Sequence, residues 1–60
     1  MCEFKVYLDG EKIWEDVVFA HSDGDSVTLR DIMGESRTYA GARITEVNVL
    51  ATRLILEGNR

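Results

Sequence analysis

The stretch VVFAHSDGDSVTLRD, residues 17–31, decides the fold. Two runs rich in branched and aromatic residues, Val17–His21 and Val27–Asp31, flank Asp23-Gly24. That dipeptide is preferred in two-residue hairpin turns, because both central positions need a positive φ that Asp tolerates and Gly adopts freely. In the first run Val18 and Ala20 alternate with Phe19 and His21; in the second Val27 and Leu29 alternate with Thr28 and Arg30. A period of two is that of a strand with one buried face, so the stretch predicts a β-hairpin.

Working outward, the same grammar repeats. Asp9-Gly10 is a second hairpin signal, and Met33-Gly34-Glu35 and Ala40-Gly41 are further punctuation in a chain without proline. Between these marks lie the β-type runs Glu3–Leu8, Lys12–Trp14, Arg37–Ala40, Arg43–Val49 and Thr52–Glu57. Arg43–Ala51 can also be drawn as a helix on Ile44, Val47 and Leu50, but the β-branched Val47 and Val49 favour a strand. Short strands joined by tight turns imply an all-β fold, a meander or SH3-like barrel of about six to seven strands, with residues 1–60 forming one domain.

A domain of 60 residues buries only about 60% of the surface its unfolded chain exposes. Its core is thin, and its single cysteine excludes an internal disulfide, so the expected supports are a metal, regular packing or a second copy. Self-association as a homodimer is the expectation. The composition, 45% hydrophobic and 30% charged, is that of a globular chain. The net charge of −4, from eleven acidic and seven basic residues with no basic tract, disfavours electrostatically driven nucleic-acid binding. An unpaired thiol fits a reducing cytosol. The sequence has no apolar run of membrane-spanning length and reads as a chain without a leader.

The lone cysteine is the second residue, one peptide bond from the terminal amine. By parity it belongs with Phe4 and Val6, which would turn it toward the core as a small hydrophobe. Alternatively the chain end leaves the sheet and offers its sulfur as a ligand. With Met1 retained, the terminal amine, the Cys2 amide nitrogen and the Cys2 thiolate close fused five-membered chelate rings in one plane. With Met1 removed, Cys2 alone supplies amine and thiolate. Planar nitrogen and sulfur donation suits Ni(II) or Cu(II), whereas Zn(II) would take a tetrahedral set from two chain ends. Met1 and Cys2 are therefore the candidate metal ligands, at a site that two chain ends share.

The segments MCEFKVYLDG, DVVFA, VTLRDIMGES, ARITEVNVL and RLILE together resemble the CooT family of small nickel-binding proteins over nearly the whole chain. The resemblance implies a homodimer of small β-barrel-like subunits, Ni(II) bound through Cys2 at the dimer interface, and delivery to a nickel enzyme such as carbon monoxide dehydrogenase. Hydrogenase maturation chaperones also begin Met-Cys, but they continue with a small residue, a branched aliphatic and proline. This chain continues Glu3-Phe4-Lys5-Val6. Asn48 departs from the acidic residue expected in its segment.

Other residues carry less chemistry. His21, the only histidine, has no partner motif and reads as a surface or packing residue. Asp23-Gly24-Asp25 lacks the spaced ligands of a calcium loop and reads as a turn. No Ser or Cys stands in a known spacing with a histidine, and no glycine-rich phosphate loop is present, so no enzyme is expected. The alternative is a small barrel that binds RNA or a protein and uses Cys2 structurally or for redox. Tyr7, Trp14, Phe19 and Tyr39 would be its stacking platforms, and Arg30, Arg37, Arg43 and Arg53 its phosphate contacts. Against it, aromatics in so small a domain are needed for the core and the arginines for the acidic excess.

Overall fold

A computed structural model describes residues 2–58. It consists of six strands, β1 (Phe4–Leu8), β2 (Glu11–Asp23), β3 (Ser26–Asp31), β4 (Ser36–Ala40), β5 (Ala42–Asn48) and β6 (Arg53–Gly58). They form one sheet in the order β4-β3-β2-β1-β6-β5. The expected all-β domain is the observed one, and the region drawn alternatively as a helix is strand β5 followed by a turn. The first four strands are a meander. The last pair returns so that β6 lies parallel to β1, with Lys5 opposite Arg53 and Leu8 opposite Leu56.

Two runs read as separate strands, Lys12–Trp14 and Val17–His21, belong to the single strand β2. Asp16 joins them with φ of 59°, and the pairing with β1 shifts register on either side of Val6. An aspartate tolerates the left-handed region, so the chain absorbs the extra residue as a bulge and bends instead of turning back. The two halves of β2 serve different neighbours. Residues 11–17 pair with β1, and residues 17–23 pair with β3.

The first turn matches its sequence signal: Leu8 pairs with Glu11, and the central Asp9 and Gly10 have φ of 51° and 87°. The second turn is displaced by one residue. Asp23 pairs with Ser26, so the central pair is Gly24-Asp25, and only Gly24 has positive φ, at 62°. A glycine in the first central place makes the type II′ turn, the other geometry that suits strand twist. The Ser26 hydroxyl bonds back to the Asp23 carbonyl at 3.0 Å and completes it.

Between β4 and β5 stands Gly41 alone, at φ 74°, donating its N–H to the Asp25 carbonyl at 2.7 Å. These two strands occupy opposite ends of the sheet order. One residue can join them only if the sheet curls until its ends approach, and β5 does pack against β3. The result is a curled sheet that does not close.

Inside the curl lie Val6, Val17, Val27, Leu29, Ala42, Leu54 and Leu56, with Phe4, Leu8, Ile13, Trp14, Tyr39 and Ile44 packed around them. The alternation read for residues 27–30 holds, Val27 and Leu29 being buried and Arg30 exposed. Past Val17, however, β2 buries neither set: Val18, Phe19, Ala20 and His21 are all exposed. Strand β1 begins opposite Val17, so nothing among the described residues pairs with the next residues of β2 on that side.

Candidate metal centre

The chain enters the sheet at Phe4, whose partners fix where the preceding residues emerge. Phe4 pairs with Val17, and the next residue, Lys5, donates its N–H to the Thr52 carbonyl at 2.8 Å. The Lys5 ammonium donates to Thr52 Oγ1 at 3.0 Å, and the Thr52 N–H donates to the Val49 carbonyl at 3.1 Å. These bonds hold Thr52 at φ of 50°. For a β-branched residue that conformation costs about 1–2 kcal/mol. The turn between β5 and β6 is thus tied to the start of β1, and Asn48 helps by accepting from the Ala51 N–H at 3.0 Å. Asn48, the departure noted above, is the last residue of β5, where it caps the turn with a side-chain oxygen that an acid could equally supply.

Cys2, just outside this anchored start, is exposed. The parity reading that would place it in the core therefore fails, because pairing with β2 stops at Phe4 and the two preceding residues leave the sheet. Met1, the second expected donor, lies outside the described residues. His21 sits on β2 in full view of solvent, its ring stacked on Phe19 with centroids 6.5 Å apart. Among the described residues no three His, Cys, Asp or Glu side chains gather where they could hold an ion. Cys2 therefore belongs to no such group of three among the described residues.

Beside the chain end opens a cleft of about 210 Å³. Phe4 forms part of it, with Val18, Phe19 and Ala20 of β2, Ile44 and Val47 of β5 and Leu54 of β6. This feature escaped the sequence reading. Its signal was present in Val17-Val18-Phe19-Ala20, four consecutive apolar residues where a half-buried strand should alternate.

Three of the four arginines proposed as phosphate contacts, Arg30, Arg37 and Arg43, are engaged within the fold. Arg37 lies over the Trp14 ring at 4.0 Å and donates to Glu35 at 3.2 Å. Its pKa is raised, by the Tyr39 side chain first and Glu35 second. Arg30 lies over Phe19 at 4.9 Å and donates to Ser36 at 3.2 Å, and Arg43 pairs with Glu57 at 3.0 Å. Trp14 and Tyr39 pack against the core. Elsewhere Lys12 and Glu15 meet at 2.6 Å, each holding the other in its charged form. Both side chains of the pair are exposed. With a net charge of −4, generic single-stranded RNA should show no tight binding at physiological salt. Submicromolar affinity in an anisotropy titration, lost on Arg37→Glu or Arg43→Glu, would instead favour the nucleic-acid reading.

Compared with known families, residues 1–57 match the one described as CO dehydrogenase accessory protein CooT. The chain belongs to the CooT family. The matched span starts at residue 1 and so includes the Met1-Cys2 beginning. A relative in Methanocaldococcus jannaschii, the uncharacterized protein MJ1551, is 29% identical over 58 residues, covering 97% of this chain and all of the relative. CooT membership carries an accessory role toward CO dehydrogenase, which is a supporting function and not a catalytic one. No helix of the described residues is long and apolar enough to cross a membrane.

Proposed function

We propose that this CooT protein captures Ni(II) at its amino terminus in the cytosol and hands it to a nickel enzyme such as CO dehydrogenase. The observation that carries the reading is the exposed thiol of Cys2, set beside an anchored strand start in a chain of the CooT family. The donors are the Cys2 thiolate, its amide nitrogen and the amine of Met1, or the Cys2 amine itself once Met1 is removed. Planar donation of this kind favours Ni(II); Cu(II) is its nearest competitor, and Zn(II) would require a tetrahedral set. One chain end supplies too few donors to fill a coordination sphere, so two chains share one ion in a homodimer. A site made of main-chain ends and one thiol per chain exchanges its ion readily, which is what hand-over requires.

Native mass spectrometry with and without Ni(II) tests this directly. The expected species is two chains with one nickel, and its mass also reports whether Met1 remains. His21→Ala should leave nickel uptake within about twofold, since the exposed ring belongs to no cluster of possible ligands. A loss of uptake in that variant would move the site to the β2 face.

A further inference from the structure

The outer face of the sheet carries two cations side by side at the start of β1. Lys5 and Arg53 lie opposite each other in the parallel β1–β6 pair, and both project outward, because their neighbours Val6 and Leu54 are buried on the other face. Like charges directly opposite in a sheet are destabilising. Neither is offset by a carboxylate: among the described residues the ion pairs are Lys12–Glu15, Arg37–Glu35 and Arg43–Glu57. Across β5 the residue opposite Arg53 is Asn48, which is neutral. In a chain of eleven acidic and seven basic residues, two adjacent cations without an acid run against the composition. We infer that Lys5 and Arg53 are the docking point for an acidic segment of the enzyme that receives the metal ion. The inference rests on the proposed hand-over at Cys2 and gives the recipient a recognisable surface chemistry.

The donors are held in place but not spent. An ammonium has three N–H donors, and one on Lys5 goes to Thr52 Oγ1 at 3.0 Å, while the Thr52 hydroxyl gives its own proton to the Ala51 carbonyl at 2.6 Å. A neutral hydroxyl thus fixes Lys5 without pairing its charge. Arg53 is exposed and enters no ion pair among the described residues, which leaves a planar fork that fits a carboxylate through two bonds. A net charge of −4 repels an anionic partner elsewhere and admits it here, which sets the partner's orientation. A short run of Asp or Glu matches two cations, whereas a nucleic-acid strand carries its charge onward over an acidic surface. Lys5 is three residues from Cys2, within roughly 10 Å along an extended chain, so a segment bound here brings its own protein up to the thiol. The cleft residues Phe4 and Leu54 belong to the opposite face of the sheet, and docking leaves the cleft free.

Surface plasmon resonance with immobilised, purified, nickel-free CO dehydrogenase and the full-length protein in solution tests the docking point. Wild type should associate fast at low ionic strength and more slowly as salt is added. Arg53→Glu should lower the association rate about tenfold or more at low ionic strength, with the difference vanishing in high salt. Asn48→Asp should lower it about threefold, since it sets a carboxylate opposite Arg53 and keeps the oxygen that caps the turn. Arg30→Glu makes the same change of charge on β3, which adjoins neither β1 nor β6, and should stay within about twofold. Wild type that does not associate, Arg53→Glu that associates like wild type, or Arg30→Glu that slows association equally overturns the inference. Loss of oligonucleotide binding in Arg53→Glu, with association to CO dehydrogenase unchanged, overturns it too and makes the face a nucleic-acid contact. Nickel uptake, measured separately on the same variants, should be unchanged by Arg53→Glu. Uptake that survives Cys2→Ser defeats the metal reading and leaves the docking point standing; unimpaired docking of Arg53→Glu defeats the docking point and leaves the metal reading standing.

Discussion

Cys2→Ser is expected to abolish tight Ni(II) binding while leaving the fold almost unchanged. The thiol is exposed and precedes the first strand, so its replacement opens no cavity and leaves no buried polar group unpaired. Surface changes of this kind fall within about ±0.5 kcal/mol, or a few degrees of thermal midpoint for a domain this small. A thiol packed in the core would behave oppositely, since a hydroxyl placed there costs on the order of 1–3 kcal/mol and metal binding would not change. Isothermal titration with Ni(II) and a thermal melt of the apoprotein, run on the same variant, separate the two. Nickel uptake should also weaken as the solution is acidified and should release protons, because a thiol must be deprotonated to bind. In a planar nickel–thiolate–amide centre the ion is diamagnetic and sulfur-to-nickel charge transfer is visible. A variant that melts early but still titrates with nickel would refute the proposed function.

Leu29→Ala should have the largest effect on folding. Leu29 is fully buried in a core of only seven buried residues among those described. Truncating a buried leucine costs about 2–5 kcal/mol, the lost transfer energy plus the cavity left behind. A core in a domain this small seldom supplies more than about 3–5 kcal/mol, so much of the population should be unfolded at room temperature. Urea denaturation followed by circular dichroism gives the change, with Leu50→Ala as the comparison at a fully exposed leucine. Near-equal midpoints for the two variants would mean that the buried set does not hold the sheet together.

Sequence and structure agree where the pattern is local. The alternation around Val27 and Leu29 and that around Leu54 and Leu56 each specify a buried face without reference to the rest of the chain. Asp9-Gly10 specifies its turn in the same way. The signals that failed depended on distant partners. Asp16 looks like a break between two strands until β1 and β3 are both in place to pair with the two halves of β2. Whether the second hairpin centres on Asp23-Gly24 or Gly24-Asp25 depends on the register between β2 and β3, which a one-residue shift in turn type alters. The candidate site divides similarly. Cys2 stands out as a candidate ligand by its position beside the amine, whereas its exposure depends on where β1 stops pairing with β2. The cleft required the knowledge that β5 and β6 return beside the start of β1, and no spacing within the chain announces that.

The parallel pairing of β1 with β6 also ties the first strand of the described chain to the last. Lys5 meets Arg53 across most of the described chain, a non-local contact of the kind that slows folding because its loop must be closed first. The bonds from Lys5 to Thr52 that fix the exit point of Cys2 belong to this same non-local set. The exit point of Cys2 is thus set from the far end of the described chain: residue 2 leaves beside a turn built from residues 49–52.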